Sequence, residues 1–161
     1  MITSGMAAGL IWGLILLWGA ARFVNLPVFA LMPTIMTAFL APGLVMAAMI
    51  GWTALRRFFD DAMIDNTALS GAGEIDRHVL VNTVEQLVLA LCIWPAAAVL
   101  LGADGPGVIL TLGLGFALAR LAFWWGCHRA PFLQAFGFAA SFYPTVMVAL
   151  WALWKLVAGF V

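Results

Sequence analysis

Charged side chains are scarce in this chain. They make up 9% of the 161 residues, where a soluble domain carries about a quarter. That deficit excludes a water-exposed surface over most of the molecule, so lipid must solvate it. Neither sign of charge is in excess, with seven basic and seven acidic residues, and a nucleic-acid partner is not expected. Cysteine is nearly absent. Cys92 and Cys127 lie in apolar runs without metal-ligand spacing, which reads as packed thiols rather than a disulfide framework. The start, Met1-Ile2-Thr3-Ser4-Gly5, lacks a basic segment and leads into an apolar run too long for a signal-peptide core.

Hydrophobic residues are abundant, at 66%, with a mean hydropathy of +1.12. Charges and helix breakers divide the chain into five spans of about 20 residues or more, the length a bilayer demands. The first covers 1–23, ending at Arg22 and the turn Asn25-Leu26-Pro27. The second runs from about Phe29 to Arg56-Arg57, with a kink expected at Pro42. The segment 58–76, with Asp60, Asp61, Asp65, Glu74 and Asp76, reads as an aqueous loop. A third span from about His78 to Leu101, a fourth to Cys127 and a fifth over about Phe132–Phe160 complete an all-α integral membrane fold in a single domain. The turn His128-Arg129-Ala130-Pro131 joins the last two.

Alternating spans gather Arg56, Arg57, Arg77 and Arg129 on one side and Arg22 on the other. The positive-inside rule puts the N-terminus and the 58–76 loop in the cytoplasm. Trp52, Trp124 and Trp125 near that side, and Trp151 and Trp154 near the other, suit interfacial belts. Ionisable groups within spans cost on the order of 3 kcal/mol each and mark functional candidates. Glu85 and Arg120 are the two, with Asn82 and Gln86 beside Glu85. Counted from the cytoplasmic ends, Glu85 and Arg120 both lie about 12–14 Å deep, on consecutive antiparallel helices, so an ion pair between them is expected. It serves either as a structural tie or as the floor of a pocket whose arginine-rich mouth attracts an anion. His78 and His128 read as polar helix-end residues, and no metal site is expected.

Three segments resemble the MAPEG family, the membrane-associated proteins in eicosanoid and glutathione metabolism. Arg56-Arg57-Phe58-Phe59 is similar to the basic pair closing the family's first helix. Asn82-Thr83-Val84-Glu85-Gln86 after Arg77 resembles its arginine followed by Asn-x-x-Glu. Arg120-x-x-Phe123-x-x-Gly126-Cys127 resembles its Arg-x-x-Tyr-x-x-Gly-Tyr segment. The resemblance covers about residues 30–160. It implies a four-helix core over 29–160 plus an extra N-terminal helix, and a homotrimer in a membrane. The high alanine, glycine and leucine content points to a bacterial inner membrane. Glutathione is the implied cosubstrate, for transfer to hydrophobic electrophiles or reduction of lipid hydroperoxides. The alternative is a non-catalytic relative that binds a lipid or other amphiphile.

By position, Arg56, Arg57, Arg77 and Arg129 would meet the peptide's carboxylates, Asn82 and Glu85 its polar backbone or amine, and Arg120 would brace Glu85. The sequence departs from the family at four points. His78, rather than Arg77, has the family's four-residue spacing to Asn82. Phe123 and Cys127 stand where tyrosines are common, and Gln134 stands where catalytic members carry an arginine. Gln134 can donate a hydrogen bond to a thiolate but adds no charge. Arg129 folding back would be the alternative catalytic group.

Overall fold

A run of some 20 apolar residues in lipid must satisfy its own backbone, and an α-helix does so within the segment. The computed structural model, which describes residues 2–24, 26–27, 31–58 and 71–159 and only the backbone of Arg57, is helical in every long element. Helix α1 is Ile2–Phe23, α2 is Leu31–Ala38, α3 is Leu40–Arg57, α4 is Ala72–Leu100, α5 is Gly105–Arg129 and α6 is Pro131–Val157. Helices α2 and α3 together make one span, giving five that are long and apolar enough to cross a bilayer. This is the build of a multi-pass membrane protein.

The break between α2 and α3 falls at Phe39, three residues before Pro42. Proline has no N–H to give the Ala38 carbonyl, so the helix is interrupted there. Gly113 of α5 comes so close to that carbonyl that a Cβ would collide with it. The kink thus presses α2 onto α5.

Association in lipid relies on close backbone approach by small residues. The buried residues Gly5, Gly9 and Gly13 form a stripe along α1, and a Cβ on Gly9 would strike Ala139 of α6. Helix α1 therefore packs tightly along α6 and is an integral part of the bundle. Gly137 does the same between α6 and α5, where a Cβ would meet the Phe123 backbone and come within 2.7 Å of the Ala119 carbonyl. The core between these helices is built on Trp94, Ile109, Leu112, Phe116 and Val148. Indole Trp94 stacks on Phe39 at 5.3 Å between ring centres and donates to Thr145 Oγ1 at 3.3 Å.

One boundary differs from expectation. Helix α4 begins at Ala72, so Glu74 and Asp76 belong to a helix rather than to the aqueous loop. Asp76 is buried, at 3% exposure, because its carboxylate has partners on two neighbouring helices. Asp60, Asp61 and Asp65 lie outside the described residues.

Candidate functional site

The N-terminal ends of α1, α4 and α6 and the C-terminal ends of α3 and α5 gather at one end of the bundle, here termed the arginine end. Two recesses open there. The first is a cavity of about 470 Å³ lined by Ile2, Met6, His78, Asn82, Phe123, Pro131, Gln134, Ala135 and Phe138. Its walls are mostly apolar, and its polar groups are one imidazole and two primary amides. Four residues singled out from sequence, His78, Asn82, Phe123 and Gln134, converge on it from three helices. Helix α5 ends at the extended residue Ala130, and Pro131 occupies the first position of α6, where a missing N–H costs nothing. That tight corner carries Gln134 back beside Phe123. The first two turns of α1 close the cavity's remaining side through Ile2 and Met6.

Beneath Asn82 lies a buried polar network. Arg120 has no exposed surface. Its Nη1 donates to Asn82 Oδ1 at 2.8 Å, and its Nη2 donates to Ser141 Oγ at 2.6 Å and to the Gly137 carbonyl at 3.2 Å. Ser141 Oγ in turn donates to Gln86 Oε1 at 2.7 Å. The faces of Phe123 and Phe116 flank the guanidinium at 4.5 and 5.7 Å. Among the described residues no carboxylate pairs with Arg120, and its Nε has no partner. Neutral dipoles and two aromatic faces hold this cation.

The expected Glu85–Arg120 ion pair does not form. Glu85 is exposed on the outer face of α4, and Arg120 takes Asn82 instead. Depth alone suggested the pair, but three residues along a helix leave a rotation of about 60° between side chains, enough to turn Glu85 off the bundle. The bond also orients Asn82. Its oxygen is engaged by Arg120, so the amide N–H groups are the part left for the cavity.

The second recess is a groove of about 340 Å³ lined by Trp52, Arg56, Trp124, Trp125, His128 and Arg129. Asp76 lies behind it. Asp76 Oδ2 is 2.9 Å from Arg56 Nε, an ion pair without hydrogen-bond alignment, while its Oδ1 accepts from Trp124 Nε1 at 3.0 Å and lies 3.1 Å from His128 Nε2. His128 Nδ1 lies 3.1 Å from the Trp124 carbonyl. Arg56 and Arg129 therefore belong to the groove, not to the cavity, and within one chain Arg129 does not line the cavity beside Gln134. His78 and His128 likewise belong to different recesses, and no cluster of three metal-ligating side chains occurs among the described residues.

Of the remaining sequence candidates, Arg77 is exposed on the first turns of α4, Cys127 is half-buried on α5, and the Arg57 side chain lies outside the described residues. Sequence reasoning missed Ser141 and the role of Gln86. It also missed the Gly5-x-x-x-Gly9-x-x-x-Gly13 stripe, a spacing that signals helix packing in membranes. Comparison of the chain with family models, with curated proteins and with solved structures gives no match.

Proposed function

We propose that this chain is a MAPEG-like integral membrane protein whose cavity at the cytoplasmic end binds glutathione or a closely similar peptide thiol. One observation carries the reading. His78 and Asn82 on α4, Phe123 on α5 and Gln134 on α6 stand far apart in the sequence, and all four line one cavity. Asn82 offers amide donors fixed by Arg120, and Gln134 offers a second amide. A thiol seated against them would receive hydrogen bonds as it ionises, while Phe123, Phe138 and Met6 form an apolar bed for an electrophile. In the transferase reaction the thiolate sulfur attacks an electrophilic carbon. A carbon–sulfur bond forms, the leaving group departs with its electron pair, and the thiol proton passes to solvent.

Exposed Glu85 supports the homotrimer expectation. A carboxylate on the outer face of a membrane-spanning helix is costly against lipid, and a neighbouring copy would cover it.

A second reading is a non-catalytic amphiphile-binding protein. It is favoured by the apolar walls and by the absence of a guanidinium among the cavity-lining residues. Titrating glutathione into the detergent-purified protein separates the two readings. Thiolate absorbance and turnover of a chlorodinitrobenzene-type electrophile would be followed together. Saturable binding with turnover is the expected outcome. Binding without turnover assigns the protein to the second reading, and no binding removes glutathione from both.

A further inference from the structure

The groove between α3 and α5 shares no lining residue with the cavity and has its own chemistry. Two guanidiniums are held there over indole faces. Arg56 lies 5.4 Å from the Trp52 ring centre and Arg129 lies 5.2 Å from that of Trp125. Trp52 and Trp124 meet edge to face at 6.4 Å, so the aromatic walls brace one another.

Asp76 anchors Arg56 in one particular way. Its carboxylate meets Nε, the inner nitrogen, at 2.9 Å, and 32% of the Arg56 side chain stays exposed. The Arg56 guanidinium carries the planar fork suited to phosphate oxygens, and the residue lines the groove. Asp76 itself is 2% exposed at the side chain and is covered by Arg56, His128 and Trp124. Its negative charge offsets one of the two guanidinium charges, so Arg129 supplies the groove's net positive charge. Arg129, at the end of α5, has no ion pair among the described residues beyond its contact with Trp125.

Trp125 is 62% and Trp52 43% exposed, and both lie within a turn or two of the ends of apolar spans, where indoles favour the headgroup level of a bilayer. A soluble anion would gain nothing from those indoles, whereas a lipid would set its phosphate on the arginines and its glycerol region against the tryptophans.

We infer that this groove is a binding site for the phosphate of an anionic phospholipid from the adjacent leaflet. Arg56 and Arg129 form its two cationic arms, Trp52 and Trp125 its side walls, and Asp76 is the residue that positions Arg56.

Native mass spectrometry of the detergent-solubilised protein tests this. Equal amounts of phosphatidylglycerol and phosphatidylcholine would be added and the retained adducts compared. The wild-type protein should retain phosphatidylglycerol preferentially. Arg129→Gln should weaken that preference about fivefold, the effect of one basic residue at a membrane surface. Arg22→Gln, at the other end of the bundle, should leave it unchanged. Equal retention of both lipids, or the same loss from Arg22→Gln as from Arg129→Gln, overturns the site. Displacement of the lipid by excess inorganic phosphate would overturn the lipid as occupant, reassigning the groove to a soluble anion. The glutathione titration is independent of all these outcomes, so the two proposals fail separately.

Discussion

Asp76 and Arg120 are both buried ionisable groups, yet their surroundings differ in kind. Asp76, near the start of α4, is matched by a guanidinium, an imidazole and an indole N–H. Arg120, about nine residues inside α5, is met by an amide, a hydroxyl, a backbone carbonyl and two phenyl faces. Near the bilayer surface, charge can be paired with charge because the partners' remaining polar atoms still reach water. Deeper in, every added charge carries its own desolvation cost. A single cation is there held by neutral dipoles, whose desolvation costs far less than that of a second charge. The two clusters also do different structural work. The paired cluster braces helix ends and shapes a basic groove, while the unpaired cation fixes the donor face of Asn82 in the cavity.

The comparison can be broken from its deeper side first. Arg120→Ala would leave Asn82 Oδ1 and Ser141 Oγ without their donor and open a void among Phe116, Phe123 and Gly137. We expect the largest loss of stability here, about 3–5 kcal/mol, read as a lower midpoint of thermal unfolding in detergent. Asp76→Asn keeps the shape but removes the charge facing Arg56 and His128. A loss of about 2–3 kcal/mol is expected, and it should shrink on addition of Arg56→Gln, since the orphaned cation causes part of it. If the double variant is as unstable as the sum of the singles, the charge-pairing account of this cluster fails. Ser141→Ala should have the smallest effect, about 0.5–1 kcal/mol, the size of an ordinary interhelical hydrogen bond in a membrane. A loss equal to that of Arg120→Ala would mean that Ser141, not Asn82, is the principal partner of the cation.

Much of this arrangement was legible from the residues alone. The span count, the tight turn through Ala130 and Pro131, and the clustering of arginines at one end all follow from charge and breaker positions. So does the depth of Arg120. Rotation about each helix was not legible. Asn82 and Glu85 share a depth and nearly a face, but only packing decides which of them points inward. Asp76 was hidden for a related reason. A charge run beside a flexible Ser-Gly-Ala-Gly stretch has the composition of a loop, and only the partners on α3 and α5 allow that carboxylate to be buried in a helix. The place of α1 was readable in its glycine spacing, although its contribution of Ile2 and Met6 to the cavity wall was not.

Under the proposed function, Asn82, held by Arg120, presents hydrogen-bond donors to a ligand in the α1–α4–α5–α6 cavity. The most direct test is the affinity of glutathione for the wild-type protein and for Asn82→Ala, measured by calorimetry in detergent, with thermal unfolding of both proteins as the control for folding. The account predicts saturable binding to the wild type and an affinity about tenfold weaker in the variant, the value of one well-placed hydrogen bond, with both proteins folded. Equal affinity in two folded proteins would contradict it.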